Sequence, residues 1–503
     1  MSIKTLHPLY DKFACNWETL RDFYAGADEV RAKGVRYLPA TEGMQLDGMD
    51  ANQMGRKAYE AYKLRARVPD YVKEAVEILV GLLHQKDAIV ELPPELEYLR
   101  AGASINKEPL SALHRRINVE QLTTGRLGLL VDMPRTPDPA NPQPYLSLYI
   151  GESILNWDAT TTSSGQGSLN MVLLDESGPQ RDGMFNWVEK ERYRVLVLGN
   201  DIKDEITGDY RVGVFQDDLT YSADQLMTPK LRGKVLEEIP FTFINSKDLL
   251  PEPDVPPLKG LAEICVGIYQ GEADYRQNLY MQSQETLVVI GGVRNATAVP
   301  GGADALRTGA GARIDVDVTG DAKYIGVTSN GLSEQRTALE NDRARAERKS
   351  GQLIQNTGSQ MESGTAMTTR FNAQTATLNQ LATTAAAGLE SAIRNIAVWI
   401  GADPTKVKVT PNVEFIDFNL DGRNFVDIMT ARQMGLPISI ESLHAKMAER
   451  GMTTLDFVTE MKHIEEENKK FGDLLPKAAA PGAAPVAPAP APAPDKKDPK
   501  PTS

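Results

Sequence analysis

The sequence predicts an α+β protein in which helices come first, strands follow, and a second helical half closes the chain. Three observations carry this. Apolar residues recur at helical spacing through residues 1 to about 92 and again near 110–124. From 127 to about 245 short alternating runs are separated by Pro and Gly turns. From 256 to 400 two helical segments bracket a Gly-punctuated β insert. Strands that follow helices, instead of alternating with them, exclude a βαβ layout.

In order, Trp17, Leu20 and Phe23 share one helix face, and residues 71–83 form an amphipathic run that Pro93 and Pro94 terminate. A helix over 110–124 ends at Gly125, a C-cap residue. Strands are predicted at 127–132, 145–150, 193–198, 210–215 and 239–244. Pro251, Pro253, Pro256 and Pro257 then make a stiff, extended spacer.

The helix that follows, 258–284, spans about 40 Å at ~1.5 Å per residue. Its apolar stripe is Leu258, Leu261, Cys265, Ile268, Tyr275 and Leu279. Runs at 286–290, 313–318 and 323–327 are strand-like, the last two reading as a hairpin about Thr319, Gly320 and Asp321. The second helix is polar nearly all round, with Arg336–Glu340 and Arg343–Glu347 at i,i+4, pairs worth about a few tenths of a kcal/mol each. A helix of this kind stands in water between domains or among copies of itself. The 256–400 region therefore reads as a stalk with a tip, an assembly part rather than a pocket enzyme.

Small residues fill 357–369. The helix over 370–400 has no charge between Arg370 and Glu390, and its apolar positions are Leu378, Leu381, Ala385, Leu389, Ile393, Ile396 and Ile400. Thr, Ala, Asn and Gln fill the rest, so other chain is expected to crowd it on several sides. A short β element at 413–418 and two or three helices complete the fold, one opening at Thr453 with Asp456 three residues on, an Asp variant of the capping box. After Lys477 the Ala/Pro repeats cannot bury a core, and a disordered tail is expected.

At 503 residues the chain has room for several cores, and 41% hydrophobic with 24% charged residues is ordinary for a globular protein. No apolar run approaches the ~20 residues of a membrane span. No signal-peptide pattern opens the chain, so synthesis in the cytoplasm is expected. Cys15 and Cys265 offer no disulfide framework and read as small buried residues. A net charge of −13 excludes a DNA-coating protein but not one through which DNA slides without sticking.

Phosphate-loop, zinc and nucleophile-elbow motifs are absent, and no catalytic residue, metal or cofactor is predicted. His7, His84, His114, His444 and His463 are scattered without ligand spacing. Asp315 and Asp317 share one strand face, which reads as the wet side of a hairpin or, as an alternative, as a metal-dependent hydrolase or nuclease pair.

Several phrases, each weak alone, recur in a shared order. They include His7 to Lys12 with Trp17, Ala32 to Pro39, Gly125 to Asp132, Pro144 to Tyr149 ahead of Ile154 to Trp157, Ile239 to Asn245, and Glu362 to Ala366. Over residues 7–470 the chain resembles one branch of the portal proteins of tailed bacteriophages, a branch often catalogued only as a domain of unknown function.

The resemblance implies a protomer of a ring, typically of twelve copies, at one capsid vertex of the virion, assembled in the host cytoplasm. Double-stranded DNA would be packaged and ejected through it without sequence specificity or any membrane. Other partners would be the terminase large subunit, head–tail connector or adaptor proteins, and the major capsid or scaffolding protein. The parts would be a wing (1–255), a first stem helix (256–284), a clip (285–330), a second stem helix (331–356) and a tunnel loop (357–369). A returning wing helix with a short β element (370–422), a helical crown (423–476) and the tail (477–503) would follow. Gln360, Glu362, Ser363 and Thr365 would line the channel. Arg294, Arg307, Arg313 and Lys323 would face the terminase, and Arg343, Arg345, Glu347 and Arg348 would meet neighbouring subunits. The alternative within the same class is another structural virion protein, such as a head–tail adaptor or minor capsid component.

Overall fold

The computed structural model describes residues 3–134, 143–161, 167–199, 208–216, 220–231, 233–282, 286–290, 320–325, 330–351, 364–413, 430, 432, 439–449, 453 and 455–471. They divide into two compact units, Met1–Phe415 and Ile416–Ser503.

The first unit opens with α1 (Pro8–Ala25), α2 (Ala27–Ala32), α3 (Glu42–Leu46), α4 (Met54–Arg65) and α5 (Tyr71–Leu83). His7 caps α1 by accepting the Leu9 amide at 3.2 Å, and Pro8 stands in the first turn, where no amide donor is needed. Leu20, Phe23, Tyr59, Tyr62, Val76 and Leu79 converge in one helical core. β1 (Ile89–Glu91), α6 (Tyr98–Ala101) and α7 (Leu110–Thr123) follow. Gly125 adopts φ +71°, the left-handed conformation expected one residue past a helix end.

Among the described residues the strands form five antiparallel sheets. β2 (Arg126–Asp132) lies between β3 (Tyr145–Ile150) and β10 (Phe241–Asn245). β4 (Ile154–Thr161), β5 (Gly167–Asp175), β8 (Arg192–Leu198) and β9 (Tyr210–Gln216) make a four-stranded sheet in that order. Between β5 and β8 the chain makes a separate hairpin, β6 (Gly178–Asp182) with β7 (Asn186–Lys190). The sequence pattern missed β4 and β5. Register shifts at Ile154/Asn156 and Asp158/Ala159 break the period-two alternation by which strands are recognised.

The second half carries α8 (Lys259–Gln282), β11 (Thr286–Ile290), β12 (Asp321–Ile325), α9 (Asn330–Gly351) and α10 (Gly364–Ile400). β13 (Lys408–Thr410), which the pattern did not signal, pairs with β1. The pattern predicts a hairpin of 313–318 with 323–327; 313–318 lie outside the described residues, and β12 pairs with β11, Thr286 opposite Ile325 and Ile290 opposite Asp321.

α10 is the spine. Leu378, Leu381 and Ala382 belong to the helical core, whereas Ala385, Leu389, Ile393 and Ile396 belong to the core under β10, β2 and β3. This is the crowding that its uncharged composition implied. Gly388 is where α10 comes closest to β10: a Cβ there would stand 2.4 Å from Ile244 Cγ1.

Arg126 is wholly buried. Its guanidinium lies 3.8 Å from the Trp157 ring centroid and 4.8 Å from that of Phe243, and among the described residues no hydrogen bond reaches its three nitrogens. His7 stacks on Trp157 at 3.9 Å. Burial pulls the Arg126 pKa down to about 9, because aromatic faces replace little of the lost hydration.

Cys265 is buried, and burial pushes its thiol up to about 12, which leaves it protonated and inert. Cys15 corrects the sequence reading: it is exposed.

The second unit contains α11 (Ile440–Glu449) and α12 (Phe457–Phe471). The capping expectation needs correction here. Asp456, not Thr453, caps α12, accepting the Thr459 amide at 3.2 Å and its hydroxyl at 2.5 Å. Thr453 instead donates to Glu460 at 2.9 Å. The 414–429 stretch and the tail from 472 lie outside the described residues.

Candidate functional site: a helical stalk with a strand-paired tip

The stalk starts from an ordered spacer. Asn245, at the end of β10, donates through Nδ2 to Asp248 Oδ1 (3.0 Å) and to the carbonyls of Leu250 and Glu252 (both 2.8 Å). Asp254 accepts from Ser246 Oγ and from the Lys247 amide. The prolines stiffen the spacer, and these bonds tie it to the sheet.

Only the first two thirds of α8 is core. Leu258, Leu261, Cys265, Ile268, Tyr269 and Ala273 are buried, but Leu279, Tyr280 and Met281 are exposed. The N-terminal helices grip its flank through polar contacts. Gln270 donates to the Tyr37 carbonyl (2.9 Å), Tyr62 to Asp274 (2.5 Å), and Arg65 reaches Gln277 and stacks on Tyr280.

α9 lies antiparallel to α8. Leu339 sits over Gly271, Asn278 donates to Gln335 at 3.0 Å, and Lys349 sits against Gly260. Its seam is narrow: Leu339 and Ala346, seven residues apart, are its buried apolar side chains. Between the two helices in sequence, β11 and β12 pair antiparallel, Thr286 opposite Ile325 and Ile290 opposite Asp321.

Glu272, 2% exposed, is the polar lock of this pair, bonded by Arg276 at 2.6 Å and by Arg343. Arg343, expected to meet a neighbouring subunit, makes this ion pair within its own chain. The buried carboxylate needs such a partner, since an unpaired charge there would be costly. Arg345, Glu347 and Arg348 are exposed on α9, with Glu347 accepting weakly from Tyr71 (3.4 Å) and Arg348 bonding the Ala344 carbonyl (3.1 Å). Of the expected i,i+4 pairs, Arg336–Glu340 is present at 3.5 Å.

Lys323 lies in β12 opposite Val288. The sequence pattern places Thr365 in a loop; α10 begins at Gly364, six residues before the expected start, and takes it into the first turn. Gln360, Glu362, Ser363, Arg294, Arg307, Arg313, Asp315 and Asp317 lie outside the described residues.

The histidines are not all scattered. His84, at the end of α5, and His114, on α7, bring their rings to 5.0 Å edge-on beside a cleft of about 210 Å³ that Asp87, Arg100 and Ser111 also line. His84 Nε2 donates to Asn118 (2.9 Å), which donates to Gln121 (2.9 Å), which donates to the Asn245 carbonyl (2.8 Å). His114 Nε2 is buried without a partner, and burial pulls its pKa down to about 4. Thirty residues separate the two in sequence, so only the packing of α5 on α7 reveals the pair. Among the described residues no three His, Cys, Asp or Glu side chains are grouped to hold a metal ion, and no helix is long and apolar enough to cross a membrane.

Residues 257–400 match the model of a family described as a domain of unknown function, DUF4055. The match spans the stalk, its tip and the spine helix. No curated protein matches the chain. Solved structures with a similar course include a chain in the neck of an empty gene transfer agent particle computed with C6 symmetry. It has 12% identity and a TM-score of 0.38, with 76% of this chain and 90% of that chain covered. A chain of the native gene transfer agent virion gives 12% identity and a TM-score of 0.38, with 78% and 93% covered. A chain in the native particle's neck, computed with C12 symmetry, gives 13% and 0.36, with 74% and 87% covered.

Proposed function

We propose that this chain is the protomer of a ring-shaped portal through which double-stranded DNA enters and leaves a viral capsid. The observation that carries the reading is the stalk: a long helix half embedded in the body, paired with a second helix that buries only a seven-residue seam and leaves its remaining charged surface exposed. A lone globule gains little from such a helix, whereas a ring of copies packs it on both flanks. The resemblance in phrase order over residues 7–470 and the family match over 257–400 support the same reading.

The mechanism is geometric. The ring is a conduit, and the strand-paired tip is the docking rim for the ATP-hydrolysing terminase during packaging and for connector proteins afterwards. The stretch before and at the start of α10, with Gln360, Glu362, Ser363 and Thr365, narrows the channel. Contacts along the bore are weak and independent of sequence, because tight phosphate binding would stall translocation. The chain's acidic balance suits such a wall.

Negative-stain electron microscopy of the purified chain, with native mass measured on the same sample, tests this. Rings of about a dozen subunits with an open centre are expected. A monomer that persists at high concentration, with or without scaffolding protein, overturns the proposal.

A further inference from the structure

Residues 3–7, ahead of α1, lie against the four-stranded sheet and cross from β4 to the residue before β8. β4 is an outer strand of that sheet, and an uncovered outer strand invites pairing with another chain. The His7 amide donates to the Leu155 carbonyl at 3.0 Å, and Asn156 Nδ2 donates to the Thr5 carbonyl at 2.9 Å. Lys4 Nζ bonds Glu191 at 2.7 Å. Ile3, 6% exposed, plugs the apolar cluster of Leu155, Leu173, Tyr193, Val195, Val197 and Phe215. Lys4, Thr5 and Leu6 are exposed, so the segment is a thin strap with solvent on its outer side.

The strap ends in a residue unusual for its position. His7 stands at the α1 N-cap, where Ser, Thr, Asp or Asn is the common choice. Its Nδ1 accepts the Leu9 amide at 3.2 Å, which requires a lone pair and therefore no proton on that nitrogen. The ring stacks on Trp157 with centroids 3.9 Å apart and planes inclined by 23°. The Arg126 guanidinium lies 3.8 Å from the same Trp157 centroid, so imidazole and buried cation share one indole.

Protonation of His7 would remove the acceptor that caps α1 and would set a second cation beside that indole. Asp158 of β4 and Glu252 of the spacer oppose this repulsion, as does the attraction of an imidazolium for the indole face. Asp11 in the first turn of α1 and Lys4 on the strap are the other charged side chains on the elements that meet there. Burial first, and Arg126 second, outweigh the acids and hold the His7 pKa below its ordinary value.

We infer that residues 3–7 are a releasable strap over the β4 edge, latched by neutral His7 and opened when His7 takes up a proton. The closed strap is favoured in full above about pH 6.5, the value for a free imidazole, and loses ground as pH falls below it. Opening bares part of the β4 edge and the apolar cluster beneath Ile3. The inference stands whether or not the chain forms a ring.

Hydrogen exchange of the full chain, read by mass spectrometry at pH 7.5 and pH 5.5 and corrected for intrinsic amide rates, tests this. The amides of His7 and Leu9 report the strap and its latch directly. Their protection is expected to fall about fivefold at the lower pH, the factor set by losing one helix N-cap, while α8 keeps its own. In His7→Asn the side chain still caps but cannot titrate, so equal protection at both pH values is expected. In His114→Gln the strap response is expected to persist, which separates it from the acid sensitivity of the cleft between α5 and α7. Equal protection at both pH values in the wild-type chain overturns the inference. So does a response that survives His7→Asn, vanishes in His114→Gln, or extends equally to α8.

Discussion

Replacing Gly388 with alanine is expected to destabilise the first unit by about 2 kcal/mol, within the range for overpacked cores. The added Cβ would lie 2.4 Å and 2.5 Å from Ile244 Cγ1 and Cδ1, and 3.3 Å from Leu249 Cδ2. Ile244 is itself fully buried, so it cannot swing aside without displacing the β10–β2–β3 core. Gly388 sits on a helix that joins both cores, so the damage spreads to the helical layer through Leu381 and Leu378. Ile244→Ala alone leaves a cavity and costs about 2–5 kcal/mol. In the double variant the new methyl group takes part of that space, so the two losses are expected to be clearly less than additive in denaturant titrations. Strict additivity would show that α10 and β10 do not meet at this point.

Acid is expected to weaken the protein through the His84–His114 pair, of which His114 is buried. The His114 pKa falls from 6.5 unfolded to about 4 folded, mainly through burial. The unfolded chain therefore binds more protons between those values, so this contribution to stability is intact above about pH 6.5 and is lost as pH falls towards 4. The total is about 3 kcal/mol. His84 is shifted the same way, again chiefly by burial, with Arg115 adding to the shift and Asp87 and its bond to Asn118 opposing it. Arg100 and Ser111 share the cleft and offer an imidazolium no carboxylate. Asp22 works in the opposite sense, since burial raises its pKa. Thermal melts at pH 7 and pH 4.5 should show a smaller acid loss in His114→Gln than in the wild-type chain. Equal losses would assign the acid sensitivity elsewhere.

Much of the stalk was legible before any coordinates. The α8 stripe from Leu258 to Ile268, the alternation of residues 286–290 and the uncharged run of α10 are local periodicities, and local periodicity survives in a linear string. Where periodicity was broken, legibility failed. Bulges hid β4, and three residues were too few to reveal β13. The exposed β6–β7 hairpin escaped because nothing local marks Phe185 and Trp187 as lacking a core.

What the sequence alone determined is the order of helices and strands, the α+β class, the stalk with its strand-bearing tip, and the absence of catalytic motifs. These follow from spacing, turn residues and charge pattern, which act over a few residues. Only the tertiary structure decided that Arg343 locks Glu272 within its own chain, that Arg126 is sandwiched between Trp157 and Phe243, and that His84 meets His114. Each joins residues tens of positions apart. Desolvation and pairing depend on which surfaces close over a side chain, and no linear pattern encodes that closure.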